Sequence, residues 1–383
     1  MKNAISAQRQ LKHYGMVYLL GTTVILAMVF LYGARLQAAE PASTGAESTV
    51  SRSSAGLPRV IVLATGGTIA GQADPRGANA YNAGGVNAQQ LIQAVPGIDK
   101  LANLSAEQVA SIGSQDMNDK VWFKLARRIQ QIFDQHEADA VVVTHGTDTL
   151  EETAFFLDNV LATDRPVVLV GAMRPSTATS ADGPNNLYDA VKVAASPQAL
   201  GRGVMVVLNE TIQAARWTTK SNTTSVETFR SPNAGPIGYV DHASVRFIGD
   251  QNTIFSTKYE LPAGDKLPRV EIIYAHSNMD AEQIDAASKD AKGIVLAGVG
   301  DGNASKEALA ALERAVHKGI LVIRSARVGS GFVNRNVEIN DDKSGFVVAF
   351  DLNPQKARIL AQLLIANHVT APAQVQKAFS AGW

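Results

Sequence analysis

VIVLATGGTIAG, residues 60–71, decides the fold. Residues 60–63 are four aliphatic side chains in a row, the signature of a strand covered on both faces, and the two glycines after them let the backbone turn sharply without a Cβ penalty. Thr68 then falls just beyond the C-terminal end of the strand, where open parallel sheets place their ligands. A second stretch, VVVTHGTDTLEET at 141–153, repeats the arrangement with Gly146 and Thr147. Outward from these two stretches, apolar runs alternate with helical periodicity from residue 57 onward. Strands are predicted at 60–63, 140–144, 167–170, 204–208, 272–274, 294–297, 320–324 and 346–349, and helices at 121–133, 151–161, 307–318 and 354–366. Such alternation implies an α/β chain built from βαβ units. The expected form is a larger N-terminal, doubly wound and mostly parallel sheet domain followed by a smaller C-terminal α/β domain. Polar, turn-forming residues interrupt the rhythm after residue 248, which sets the domains at 57–248 and 268–383 with a linker at 249–267.

The 383 residues, 46% hydrophobic and 18% charged, have an ordinary globular balance that suggests neither a disordered nor a fibrous chain. Four of the 35 basic residues, Lys2, Arg9, Lys12 and Arg35, lie within residues 1–38, which hold no acid. Without that segment 31 basic residues face 35 acidic ones, a net charge of about −4, so nucleic acid is not the expected partner. The same segment reads as an address: a basic leader, an apolar run from 16 to about 32, and small residues at Ala38 and Ala39. A signal peptide over 1–38 and an uncleaved membrane anchor both fit, and either delivers the remainder outside the cytoplasmic membrane, to the periplasm or beyond. Residues 39–56 are small, polar and aperiodic, as in a flexible linker. With no cysteine, disulfide and thiolate chemistry are excluded. There is no His-Glu-x-x-His run and no set of histidines at ligand spacing among the seven, so no metal is implied.

A threonine hydroxyl is a poor nucleophile until a base takes its proton or a positive group stabilises its alkoxide. Taken alone, TGGTIAG therefore reads equally as a packing or phosphate-cradling turn, although it lacks the Lys-Ser/Thr ending of a P-loop. THGTDT changes the balance. Two strand ends of one sheet, each presenting a threonine, can set two hydroxyls on opposite sides of one small substrate, and Asp148 adds a carboxylate suited to an ammonium. His145, abutting a buried strand, reads as a hydrogen-bonded structural residue.

ATGGTIAG at 64–71 and VVVTHGTDTLEETAFFLD at 141–158 resemble the two signature blocks of the secreted, type II bacterial L-asparaginases, within the asparaginase and glutaminase-asparaginase family. GSQDMND at 113–119, VGAMRPSTATSADGPNNLYDA at 170–190, TTKSNTT at 218–224 and LNPQKARIL at 352–360 agree with it in order and context. The resemblance runs from residue 57 to the C-terminus. It implies that Thr68 is the nucleophile that forms an acyl-enzyme with a side-chain amide. It implies that Tyr81 sits on a mobile lid, 72–85, that closes over the site. Ser114 and Gln115 would hold the substrate's α-carboxylate and α-amino groups, and Thr147, Asp148 and Lys220 would form the second catalytic group. Backbone N–H groups near the turns, with Ala172, would bind the oxyanion. Lys220 stands in a polar run that also reads as a solvated loop. Buried beside Thr147 and Asp148, it would be drawn by desolvation towards a neutral amine, with the carboxylate opposing.

Two residues of the second domain enter the same way. Asp301, in AGVGDGN, stands where the family often has asparagine, at a position that reaches a neighbouring subunit's site near the substrate ammonium. A carboxylate there either tightens the grip on that ammonium or makes joint ionisation with Asp148 unfavourable. Glu338, in NVEINDDK, matches another residue that contributes across the interface. Without the resemblance both read as solvated loop acids. The segment SGFVNRN is closer to glutaminase-asparaginases, whereas SQDMND and AMRPST are closer to enzymes that favour asparagine. Taken together, the resemblance implies an amidohydrolase that converts L-asparagine to L-aspartate and ammonia, with side activity on L-glutamine. Homotetrameric assembly is implied too, and no organic cofactor. Two rivals are a glutaminase-asparaginase with comparable glutamine activity and a non-catalytic periplasmic amino-acid-binding protein. Binding alone would not need two threonines with a lysine.

Overall fold

The computed structural model describes residues 56–74, 81, 82, 84–249 and 258–381. The expected leader at 1–38, the linker up to residue 55, half of the expected lid, the side chain of Tyr81, and residues 250–257 of the interdomain stretch lie outside the described residues. β1 (Arg59–Gly66) is buried from its second residue to its last because both of its faces and both of its edges are covered. The chain continues through a ribbon of β2 (Gln72–Ala73) and β3 (Tyr81–Asn82), helix α1 (Ala88–Gln93) and strand β4 (Asn103–Ile112). Alternation follows in α2 (Asp119–Asp134), β5 (Ala140–Thr144), α3 (Leu150–Val160), β6 (Val167–Val170), α4 (Gly183–Ala194) and β7 (Val204–Leu208). After β8 (Thr211–Ala214) come a ribbon of β9 (Thr219–Lys220) and β10 (Phe229–Arg230), then β11 (Gly238–Val240) and β12 (Val245–Phe247).

The first sheet has the order β12-β11-β8-β7-β6-β5-β1-β4. Its strands from β4 to β7 are parallel, and β8, β11 and β12 extend it antiparallel. Strand periodicity of two divides the core. Val60 and Val62 face the same side as Val142, Val168 and Met205, under α1 and α4. Ile61 and Leu63 face the opposite side with Val141, Val143 and Leu169, under α2 and α3. Each such fully buried branched side chain stabilises the fold by about 1.5–3 kcal/mol. The sheet is thus doubly wound, as the alternation predicted.

The second domain runs β13 (Val270–Tyr274), α5 (Glu282–Ala287), β14 (Gly293–Gly298), α6 (Lys306–His317), β15 (Leu321–Ala326), α7 (Asp341–Ser344), β16 (Val347–Val348), α8 (Pro354–Ala366) and α9 (Pro372–Phe379). Its four strands are parallel and lie in chain order. α5 and α6 cover one face through Ile284, Ala308 and Leu312, and α8 and α9 cover the other. Asn353 caps α8, its side chain accepting from Lys356 N at 3.1 Å, and Pro354 occupies the first helical position, where its missing N–H costs nothing. Because α8 also packs on α3, one core is continuous through both domains.

Candidate active site

β1 crosses over to β4 on one side, and β5 crosses over to β6 on the other, so the winding reverses at the ends of β1 and β5. At such a switch point open α/β sheets place their ligands, outside the carboxyl ends of the strands. The last residue of β1, Gly66, and the next, Gly67, have φ of 109° and 81°, backbone that favours glycine. A Cβ on Gly67 would lie 2.2 Å from both N and Cα of Gly146, and one on Gly146 would lie 2.7 Å from Ser114 Oγ. Glycine is therefore needed for the close approach of three turns, those after β1, β4 and β5. Gly67 and Gly146 are each followed by a buried threonine, Thr68 and Thr147. Beneath them Thr65 Oγ1 donates to Thr144 O at 2.9 Å and ties the two strands together.

Ser114 enters from the end of β4 and organises the turn after β5. Asp148 N donates to Ser114 Oγ at 3.1 Å, and Thr149 Oγ1 donates to Ser114 O at 2.7 Å. Lys220 arrives from the opposite direction, at the end of β9, a strand held against β10 through the pair Lys220 and Phe229. Its Nζ donates to Thr147 Oγ1 at 2.9 Å and to Asp148 Oδ1 at 2.6 Å. The lysine side chain is 17% exposed and that of Asp148 61%, so the pair is anchored inside with its carboxylate open to solvent. The polar run around Lys220 is thus a held ribbon, and its amine is engaged with a hydroxyl and a carboxylate.

Among the remaining expected residues, Ala172 is fully buried just after β6, next to these turns in the sheet order. Gln115 is exposed beside Ser114, its amide lying close to Gly113. The backbone of Tyr81 pairs with Ala73 in the β2/β3 ribbon. Asp301 and Glu338 are not brought to this cluster within one chain. Asp301 lies after β14, where its carboxylate accepts from Asn334 N at 2.7 Å and Asn334 Nδ2 at 3.3 Å, and its carbonyl accepts from Arg324 Nη1. Glu338 accepts from Asn303 Nδ2. All these partners belong to the second domain.

His145 is fully buried, with both ring nitrogens engaged. Trp122 Nε1 donates to Thr153 Oγ1 at 2.8 Å, so the Thr153 hydroxyl has its proton to give to His145 Nε2, and Nδ1–H donates to Gly146 O at 2.7 Å. Burial pushes the imidazole down to about 4, only partly offset by the Gly146 carbonyl, and keeps it neutral at neutral pH. It fixes the turn that carries Thr147. One residue the sequence reading left without a role is Glu151, buried at the start of α3, whose Oε2 accepts from Lys220 N at 2.9 Å. The sequence signal was its place inside the second signature block, in helical register behind the turn. Among the described residues no cluster of three or more His, Asp or Glu side chains is arranged to hold a metal ion.

With this geometry in hand, comparison with known proteins is specific. The model for the asparaginase N-terminal domain matches residues 59–253, and that for the glutaminase/asparaginase C-terminal domain matches 269–379. A probable periplasmic L-asparaginase of Haemophilus influenzae is 48% identical over 315 residues, 81% of this chain and 89% of the relative. L-asparaginase 2 of Escherichia coli is 45% identical over 329 residues, 85% and 93% of the two chains. A glutaminase-asparaginase of Pseudomonas fluorescens is 44% identical over 315 residues, 81% and 86%. Two domain models in succession across the two sheets, and relatives aligned through both, make this chain a member of the asparaginase family.

Proposed function

We propose that this protein is an amidohydrolase that converts L-asparagine to L-aspartate and ammonia through a threonine acyl-enzyme. The observation that carries the reading is Lys220 Nζ bridging Thr147 Oγ1 and Asp148 Oδ1 beside the turn of Thr68, at the point where the sheet reverses. Thr68 Oγ attacks the side-chain amide carbon and gives up its proton. The tetrahedral intermediate collapses with loss of ammonia, and the ester is then hydrolysed by water, so two easier steps replace one hard one. Thr147 and Lys220 relay the protons, while Tyr81 closes the lid and helps activate Thr68. Backbone N–H groups of the turns and of Ala172 stabilise the oxyanion, the part of such catalysis that general base action, worth about 10²- to 10⁴-fold, leaves unmet. Ser114 and Gln115 hold the substrate's α-carboxylate and α-amino groups, and Asp148 grips the ammonium. Asp301 and Glu338 complete the site of a neighbouring copy in a homotetramer. Residues 1–38 act as an export signal, which fits the periplasmic relative, and no metal or organic cofactor takes part.

Ammonia release, measured with asparagine and glutamine offered separately, tests the reading. A strong excess of kcat/KM for asparagine is expected. The glutaminase-asparaginase among the relatives supports a second reading, in which rates on the two amides are comparable and Asp301 tunes the choice. Thr68→Ala is expected to lose turnover by about three orders of magnitude or more while still binding aspartate. Near-normal activity in that variant would sink the nucleophile assignment.

A further inference from the structure

The ribbon that carries Lys220 is gripped from the second domain. Arg216 forms a bidentate pair with Asp351, at 2.8 and 3.2 Å, with both side chains buried. Lys356 Nζ, fully buried in the first turn of α8, donates to the carbonyls of Arg216, at 2.9 Å, and of Thr218. Asn353 Nδ2 reaches Thr219 Oγ1 at 3.4 Å. Between the two domains stands Glu151, 3% exposed, with its oxygens divided. Its Oε1 accepts from Gln355 Nε2 and, at 3.3 Å, from Asn353 Nδ2, while Oε2 accepts from the backbone N–H of Lys220. All three hydrogen bonds to this carboxylate are donated to it, so only a side chain that accepts at both oxygens satisfies them. A glutamine would turn an NH₂ on one of them. The first turn of α3, where Glu151 sits, favours a negative charge.

We propose that Glu151 is a positioning residue for Lys220, through which the second domain's segment 351–356 sets the lysine amine against Thr147 and Asp148. The proposal rests on the role given to Lys220 above. Glu151 bonds the backbone N–H of Lys220, whereas the amine bonds Thr147 and Asp148. It fixes the backbone from which the amine is aimed, and misplacement by about 1 Å is enough to cost up to about 10²-fold in rate.

The test is a double-mutant cycle in the full-length protein, with kcat and KM for asparagine measured from ammonia release. Glu151→Gln is expected to lower kcat by about tenfold or more while KM changes by less than about threefold, because Asp148 and Ser114 remain to bind the substrate. In a Lys220→Met background the same substitution is expected to change the residual kcat by less than about twofold, since there is no longer an amine to aim. Equal losses in both backgrounds would assign Glu151 a purely structural role and overturn the proposal. So would an unchanged kcat in Glu151→Gln alongside a crippled Lys220→Met. Normal turnover in Lys220→Met by itself would overturn the role of the lysine, and the proposal with it. If Glu151→Gln does not fold, Gln355→Met removes one donor and leaves the carboxylate in place. It is expected to lower kcat by about two- to fivefold, again only when Lys220 is present.

Discussion

A glycine with positive φ has one cost for a side chain when space is open and another when backbone stands in the way, and this chain contains both cases. Gly97, φ 76°, has nothing within 4 Å of an added Cβ, whereas Gly67, φ 81°, would press a Cβ to 2.2 Å from the backbone of Gly146. Gly97→Ala is therefore expected to cost only the conformational strain, about 1 kcal/mol. Gly67→Ala must also separate two turns of the site and is expected to cost more than about 3 kcal/mol, with ammonia release lost even where the chain still folds. Urea unfolding midpoints of the two variants decide the matter, and equal costs would show that the turns after β1 and β5 are not locked. At this scale the sequence was informative. Thr68, Thr147, Asp148 and Lys220 could be selected by motif, and the last three meet through hydrogen bonds of 2.6 and 2.9 Å. Glu151 could not be given its role, because the partners that define it, Asn353 and Gln355, come 202 and 204 residues later.

Among elements, legibility followed burial. The expected limits of β5, β6 and β7 coincide with the observed ones, because these strands are covered on both faces and read as uninterrupted aliphatic runs. β4 lies at the edge of the sheet and alternates exposed with half-buried residues, so NLSAEQVASI offered no such run. The antiparallel strands β8, β11 and β12 escaped because they are only four, three and three residues long and hold no uninterrupted aliphatic run, and the hairpin from β7 to β8 lacks the usual Asn-Gly signal. Its two turn residues, Asn209 and Glu210, have φ of 51° and 60°, a geometry that Asn tolerates and Glu does not favour. Glu210→Gly is accordingly expected to stabilise the protein by about 0.5–1 kcal/mol, an outcome that thermal melting would detect and that an unchanged or lower midpoint would refute. The same substitution removes a negative charge that helps to hold the carboxyl of Asp189 protonated, so the gain belongs to near-neutral pH.

For the whole molecule, two buried groups work against each other in acid. His145 lies among the turns at the strand ends, and its folded state resists protonation down to about 4 against an ordinary value of 6.5. Between those limits the unfolded chain binds the proton and the native one does not, so stability falls as pH drops through this window, by up to about 3 kcal/mol. Asp189, buried on α4 under the opposite face of the first sheet, has the reverse sign. Burial, and then the charge of Glu210, push its carboxyl up to about 6 from 3.8, so the native state takes the proton first and gains stability as pH drops from 6 towards 4. The acids held low by arginine contribute below this range, Asp241 beside Arg246 down to about 2. Wild-type stability is therefore expected to vary little between pH 6.5 and 4. Asp189→Asn removes one compensating group and leaves Glu152, whose carboxyl burial also raises, keeps an oxygen for the bond from Asn185 Nδ2, and should expose much of the histidine loss across the window. Urea midpoints at pH 7, 5.5 and 4 for the two proteins give the answer, since curves that diverge towards acid carry the argument and parallel curves defeat it. Such a balance would keep the turn that presents Thr147 folded in mild acid, even though its central histidine cannot be protonated without breaking its hydrogen bond from Thr153.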